Sequence, residues 1–211
     1  MIKLWGRINS VNVEKVAWCL VELGLPFERI DAGGAFGMLD TPHFRALNPA
    51  GRIPVLEDEG VVLSESNTIV RYLCAKYGDG TLLPQTLEAR AEAERWMDFQ
   101  LGTLAPAFVP VFWGLVRTRP EARDMAAITK AYEDVNRALA VADAALAGRD
   151  YLVGASFTMA DIPLGAVANR WVKLPIEGTG LEPPELANLT AWHKRLLARP
   201  AAAEFLSAPL T

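Results

Sequence analysis

The chain has 211 residues, enough for two modest domains, and its 51% hydrophobic against 22% charged residues is the balance of a protein that buries a full core. A formal charge of −4 with no basic block excludes a nucleic-acid footprint. The opening residues hold no long apolar stretch and no run is expected to approach membrane-spanning length, so a cytoplasmic setting without membrane partners is expected.

The first 79 residues pattern as a small α/β unit. Residues 2–5 make a short strand. From 12 to 23, Val13, Val16, Ala17, Leu20 and Leu23 recur at helical spacing, and Gly24 stands where a helix ends. A second strand covers 27–30, an irregular glycine-rich stretch 31–37, and a short helix 42–47. Two strands around 57–60 form a hairpin, and a helix spans 65–77. A right-handed crossover would set the first two strands parallel, with the hairpin adding an antiparallel pair. Residues 80–87 form a linker, and 88–211 are helical in pattern. Within that part, 87–117 predicts one long helix or a bent pair, kinked by Pro106 and Pro110. Further helices are expected over 121–147, 158–171, 189–198 and up to Leu206.

Cys19 and Cys74 are the only thiols, each within a helical pattern, and make neither a disulfide framework nor a zinc box. Buried, inert cysteines are expected. His43 and His193 have no ligand-spaced partners, so no metal site is expected.

Residues 48–73 carry the most information. A turn cluster leads into Ile53-Pro54 and a short apolar strand. Proline at a strand start is a candidate for the cis form, which is only about 0.5–1 kcal/mol less favourable than trans when proline follows. Such a bond would turn the Ile53 N–H and C=O outward as an unpaired edge for an extended peptide. The nearby helix start at Glu65-Ser66-Asn67 would receive a carboxylate. Together these features describe a site for a small anionic peptide, with Arg52 beside the edge to face a carboxylate.

Four passages resemble the cytosolic glutathione S-transferases. Ser10-Val11-Asn12-Val13-Glu14-Lys15-Val16 resembles the serine motif of the theta-like and delta-like classes, and Asn48-Pro49-Ala50-Gly51-Arg52-Ile53-Pro54-Val55-Leu56 resembles the cis-proline loop. Glu65-Ser66-Asn67 is similar to the acid–serine pair that holds a γ-glutamyl end. Ser156-Phe157-Thr158-Met159-Ala160-Asp161 is similar to the capping motif of the helical domain. The resemblance implies a thioredoxin-like α/β N-terminal domain and an all-α C-terminal domain, paired as a homodimer. Glutathione would be the co-substrate, held by Arg52, Ile53, Pro54, Glu65, Ser66 and Asn67. Asn12, two residues after the hydroxyl, also resembles the nu class, linked to disulfide reduction.

Where thioredoxin relatives often carry cysteine this chain has Ser10, so glutathione must supply the sulfur. A free thiol with pKa about 8.5 is only about 3% ionised at neutral pH. Lowering that pKa by about two units needs about 2.7 kcal/mol. A hydrogen bond from Ser10 to the anion supplies roughly 1.5–3 kcal/mol, and the helix dipole about 0.3–1. Asn12 could assist or replace Ser10. The population gain of about 25-fold is offset by a less basic, slower sulfur, leaving about three-fold. Most acceleration must then come from holding the electrophile in place. Phe108, Phe112 and Trp113, spaced along one helix face, are the candidate pocket, with Trp171 a weaker one.

Rival readings stay open. Ser10 and Ser66 also suit plain helix caps. The expected activity is conjugation of glutathione to a hydrophobic electrophile, in keeping with detoxification. The alternatives are glutathione-dependent disulfide or peroxide reduction, and non-catalytic glutathione binding. Thr158 and Asp161 are expected to be structural, as a capping box.

Overall fold

A computed structural model describes residues 1–207 and 210; the end of the expected helical domain, Thr211, lies outside the described residues. The chain divides into two compact units, Met1–Leu83 and Pro84–Thr211.

The first unit runs β1 (Ile2–Trp5), α1 (Val11–Glu22), β2 (Phe27–Ile30), α2 (Pro42–Leu47), β3 (Val55–Asp58), β4 (Val61–Ser64) and α3 (Ser66–Tyr77). The sheet order is β2-β1-β3-β4. β1 pairs parallel with β2 (Ile2 opposite Phe27) and antiparallel with β3 (Leu4 opposite Leu56), while β3 pairs antiparallel with β4. This is the thioredoxin-like arrangement that the resemblance implies. Side chains alternate across a strand, so each face needs its own cover. Trp5 and Val55, opposite one another, cluster with Phe44 of α2 and Ala32. Leu4 and Leu56, one residue out of phase, are fully buried, and α1 and α3 pack together on β1 and β4.

Local chemistry sets the element ends. At the end of α1, Leu25 N–H bonds Leu20 C=O and Gly24 takes φ +66°, which a side chain would resist. Thr41 Oγ1 accepts from Phe44 N–H to start α2, with Pro42 at the first helical position. Glu59 and Gly60, both at positive φ, make the two-residue turn between β3 and β4. Asp58, at the end of β3, accepts from Tyr72 and Tyr77 hydroxyls and from Lys76 Nζ, each at 2.8–2.9 Å, fastening the hairpin to α3. Burial pushes this carboxyl up, but the three donors outweigh it and hold it below the usual range.

Both cysteines are buried, as expected, but they are not isolated. Cys19 of α1 and Cys74 of α3 bring their sulfurs to 3.7 Å. The Cys74 hydrogen bond first, then burial, raises the Cys19 thiol well above its ordinary pKa.

The second unit is helical: α4 (Leu87–Phe99), α5 (Ala105–Phe112), α6 (Met125–Ala145), α7 (Asp161–Val172), α8 (Ala187–Leu197) and α9 (Pro200–Leu206). The long helix expected over 87–117 forms, and five-residue π-helical turns at Gln100–Leu104 and Trp113–Arg117 flank α5 within it. A wider turn before Pro106 gives its ring room against the carbonyl one turn back, where a regular turn would clash. The helix expected from 121 begins at Met125, where the Asp124 carboxylate accepts from Ala127 N–H.

Another expectation is corrected. Residues 99–116 carry no charge, and Leu87–Arg117 is long and apolar enough, by length and composition, to cross a membrane. Gly102, Pro106 and Pro110 interrupt the pattern and hid this run in the sequence. Its buried positions follow one stripe through Trp96, Gln100, Leu104, Phe108, Val111 and Leu115, and α5 packs on α6. That is how a helix sits in a folded helical unit.

Candidate functional site

Four segments of the first unit carry the site residues: the turn before α1, α1 itself, the loop before β3, and the start of α3. Gly6 explains why the first and third lie close. A Cβ there would stand 2.4 Å from Val13 Cγ2 and 3.1 Å from Ile53 Cβ, so only glycine lets the turn after β1 pass between α1 and Ile53. Asn48, itself buried, shapes the loop before β3. Its Nδ2 donates to Arg52 C=O at 2.8 Å and its Oδ1 accepts from Ala50 N–H at 3.1 Å. The Ile53-Pro54 peptide is cis. Ile53 N–H and C=O make no backbone hydrogen bond among the described residues, and β3 pairing starts only at Val55. Arg52 is exposed.

Ser10 is the N-cap residue of α1 with extended backbone (φ −88°, ψ 123°), yet its hydroxyl caps nothing. Only its backbone is engaged: the N–H donates to Arg7 C=O at 3.2 Å and the carbonyl accepts from Glu14 N–H at 2.9 Å. A serine in this position ordinarily turns its oxygen onto the second or third helical N–H. Here the hydroxyl is left half-buried beside the helix start, able to donate outward.

At α3 the N-cap is Glu65, exposed and held at φ +67°, a region in which a non-glycine residue is strained by about 1–3 kcal/mol. Its side chain caps nothing. Ile69 N–H is the first to bond back to Glu65 C=O, leaving the N–H groups of Ser66, Asn67 and Thr68 at the open helix end. Ser66 and Asn67 are buried.

The structure joins Asn12 of α1 to this helix start. Ser66 Oγ donates to Asn12 Oδ1 at 3.3 Å. Between them lies Lys15, 1% exposed, whose Nζ reaches Asn12 Oδ1 at 2.9 Å, Asn67 Oδ1 at 3.4 Å and Ser66 Oγ at 3.5 Å. Sequence reasoning missed Lys15 as a member of the site. Asn12 one turn before it and Glu22 two turns after it lie on the same side of α1, so in the sequence Lys15 reads as part of a polar helix face. Chemically, the ensemble offers an uncommitted hydroxyl at one helix start, an array of N–H donors at another, and an unpaired backbone edge.

In the helical unit, Phe108 is buried and its ring lies 5.8 Å from that of half-buried Phe112. Arg117 and Arg170 stand over Phe112, and Trp113 is 61% exposed. Trp171 stacks on Tyr132 and donates to Asn136 Oδ1. Among the described residues no group of three or more His, Cys, Asp or Glu could hold a metal ion.

Residues 4–81 match the family model described as glutathione S-transferase, N-terminal domain, and residues 104–200 match that of the glutathione S-transferase, C-terminal domain. The sequence is 40% identical to Glutathione S-transferase GstB of Escherichia coli, over 100% of both chains. The fold superposes on the theta class glutathione S-transferase from the citrus canker pathogen Xanthomonas axonopodis pv. citri with glutathione bound (TM-score 0.93, 48% identity, 100% of this chain and 99% of that one). It also matches the glutathione transferase URE2P6 from Phanerochaete chrysosporium in complex with oxidized glutathione (TM-score 0.85, 30% identity, 98% and 94% covered).

Proposed function

Because this chain belongs to the glutathione S-transferase family, an enzyme family, we propose that it binds reduced glutathione in its first unit and conjugates the sulfur to a hydrophobic electrophile. The tripeptide lies along the Ile53-Pro54 edge. Its γ-glutamyl carboxylate meets the N–H groups of α3 with Ser66 and Asn67, its ammonium meets Glu65, and Arg52 faces its second carboxylate. Ser10 donates to the sulfur and Asn12 assists, so the thiolate is stabilised without a protein cysteine. The aromatic cluster of Phe108, Phe112 and Trp113, of which Trp113 is exposed, receives the electrophile. The enzyme acts as a cytoplasmic homodimer in detoxification.

The observation that carries this reading is the Ser10 hydroxyl, placed at a helix start and not used to cap it. Support for the ligand comes from the likeness to the Xanthomonas transferase solved with glutathione.

The test is Ser10→Ala. Loss of a hydrogen bond to a charged sulfur should raise the bound-thiol pKa by about 1–2 units, read from thiolate absorbance. The sign follows directly: below both pKa values the variant holds about 10–100-fold less thiolate, and above both the two proteins hold the same amount. Conjugation of an aryl halide should therefore fall most near pH 6.5 and recover toward pH 9. An unchanged bound-thiol pKa together with full activity would remove Ser10 from the mechanism.

A second reading, glutathione-dependent reduction of disulfides or peroxides, is favoured by Asn12 two residues after Ser10 and by the likeness to the Phanerochaete transferase in complex with oxidized glutathione. Turnover of small disulfides without reaction of an aryl halide would select it.

A further inference from the structure

A lysine almost never loses its solvent entirely, because burying an ammonium is unfavourable unless its donors are satisfied. Lys15 is 1% exposed, and its Nζ lies against Asn12 Oδ1, Asn67 Oδ1 and Ser66 Oγ, the oxygens of three residues that the functional reading gives to glutathione. An ammonium has three donors and no acceptor. Every contact it makes therefore claims an oxygen and leaves the partner's donors facing elsewhere. For an asparagine this decides the orientation of the amide: with Oδ1 held by Lys15, Nδ2 must point the other way. For Ser66 the effect is different. Its hydroxyl now donates to Asn12 Oδ1 at 3.3 Å, but Lys15 bonds that oxygen at 2.9 Å. Ser66 can thus turn its proton to a ligand carboxylate while Asn12 Oδ1 keeps a donor.

We propose that Lys15 is a positioning residue that holds the amides of Asn12 and Asn67 with their donors toward glutathione, and so couples the sulfur end of the tripeptide to its γ-glutamyl end. The inference rests on the proposed function and extends it to a residue that does not touch the ligand. Its buried positive charge also favours both anions of the bound tripeptide, the carboxylate and the thiolate.

The experiment compares wild type, Lys15→Met and Lys15→Arg, each checked for folding by circular dichroism. Glutathione and S-methylglutathione affinities are measured by calorimetry, and the bound-thiol pKa by ultraviolet absorbance. Lys15→Met should bind both ligands about tenfold more weakly and raise the bound-thiol pKa by about one unit, with Lys15→Arg recovering part of each. A merely structural lysine would leave the thiol pKa where it is. A folded Lys15→Met protein with unchanged affinity and thiol pKa overturns the inference alone, whereas wild type that fails to bind glutathione at millimolar concentration overturns it together with the parent reading. If Lys15→Met does not fold, Asn12→Ala, Asn67→Ala and their double variant supply the test. Non-additive losses of affinity support a link through Lys15, and additive losses overturn it.

Discussion

Gly6 shows how one missing side chain organises a site without touching a ligand. It combines φ +143° with a Cβ direction that runs into Val13 at 2.4 Å and Ile53 at 3.1 Å, so a methyl group there strains the backbone and clashes at once. Gly6→Ala should lower stability by about 1–3 kcal/mol, read from the denaturation midpoint, and should weaken glutathione binding by spreading the Ser10 turn from Ile53. A variant that melts like wild type would mean the turn yields freely. Glu65 is the opposite case. A non-glycine residue kept at φ +67° with no capping bond is strained, and strain of this kind gathers at functional positions.

At the scale of elements, the start of α7 carries the heaviest polar burden. Asp161 is fully buried and accepts from Leu152 N–H (3.1 Å), Thr158 N–H (2.9 Å), Thr158 Oγ1 (3.3 Å) and Trp192 Nε1 (2.8 Å). The expected capping box is only half made, since Thr158 Oγ1 accepts from Ala160 N–H instead of returning a bond to Asp161 N–H. Burial pushes the Asp161 carboxyl up to about 6, against the pull of these four donors. A folded pKa above the ordinary value of 3.8 means that folding favours the proton. This group's contribution is then complete below about pH 4 and declines as pH rises through about 6, by about 3 kcal/mol. Asp161→Asn cannot titrate, so the stability of wild type relative to this variant should fall between pH 4 and 6, as followed by urea unfolding. A difference that stays level across that range would place the carboxyl in the ordinary range.

For the whole molecule, the net charge of −4 works against an anionic tripeptide, so attraction must be local. The α3 N-terminus and Arg52 supply it in the proposed mode. Exposed contacts of this sort are worth about 1 kcal/mol each and are screened within about 10 Å at 0.1 M salt. Raising salt from about 0.02 M to 0.5 M should weaken glutathione binding about three- to five-fold by calorimetry, and an affinity indifferent to salt would argue against carboxylate recognition there.

Much of this protein was legible because its information is local. The short strands, the helical spacing of Val13, Val16 and Leu20, Gly24 at a helix end, and the Ile53-Pro54 and Glu65-Ser66 passages each lie within a few residues of chain, where backbone preference and hydrophobic period act directly. The α/β unit and the helical unit follow from those periods alone. Other features depend on groups far apart in sequence, and no local pattern reports them. Lys15 reads as a solvated helix charge until α1 and α3 pack and bring Ser66 and Asn67, 51 and 52 residues away, over its ammonium. Cys19 and Cys74 become neighbours by the same packing. Pro106 and Pro110 read as kinks, but the π turns into which the backbone widens on either side of α5 are not legible in them. Propensity and period determine which elements form, but burial and the competition for hydrogen-bond partners, settled only when those elements meet, decide what each side chain in the site has left to offer.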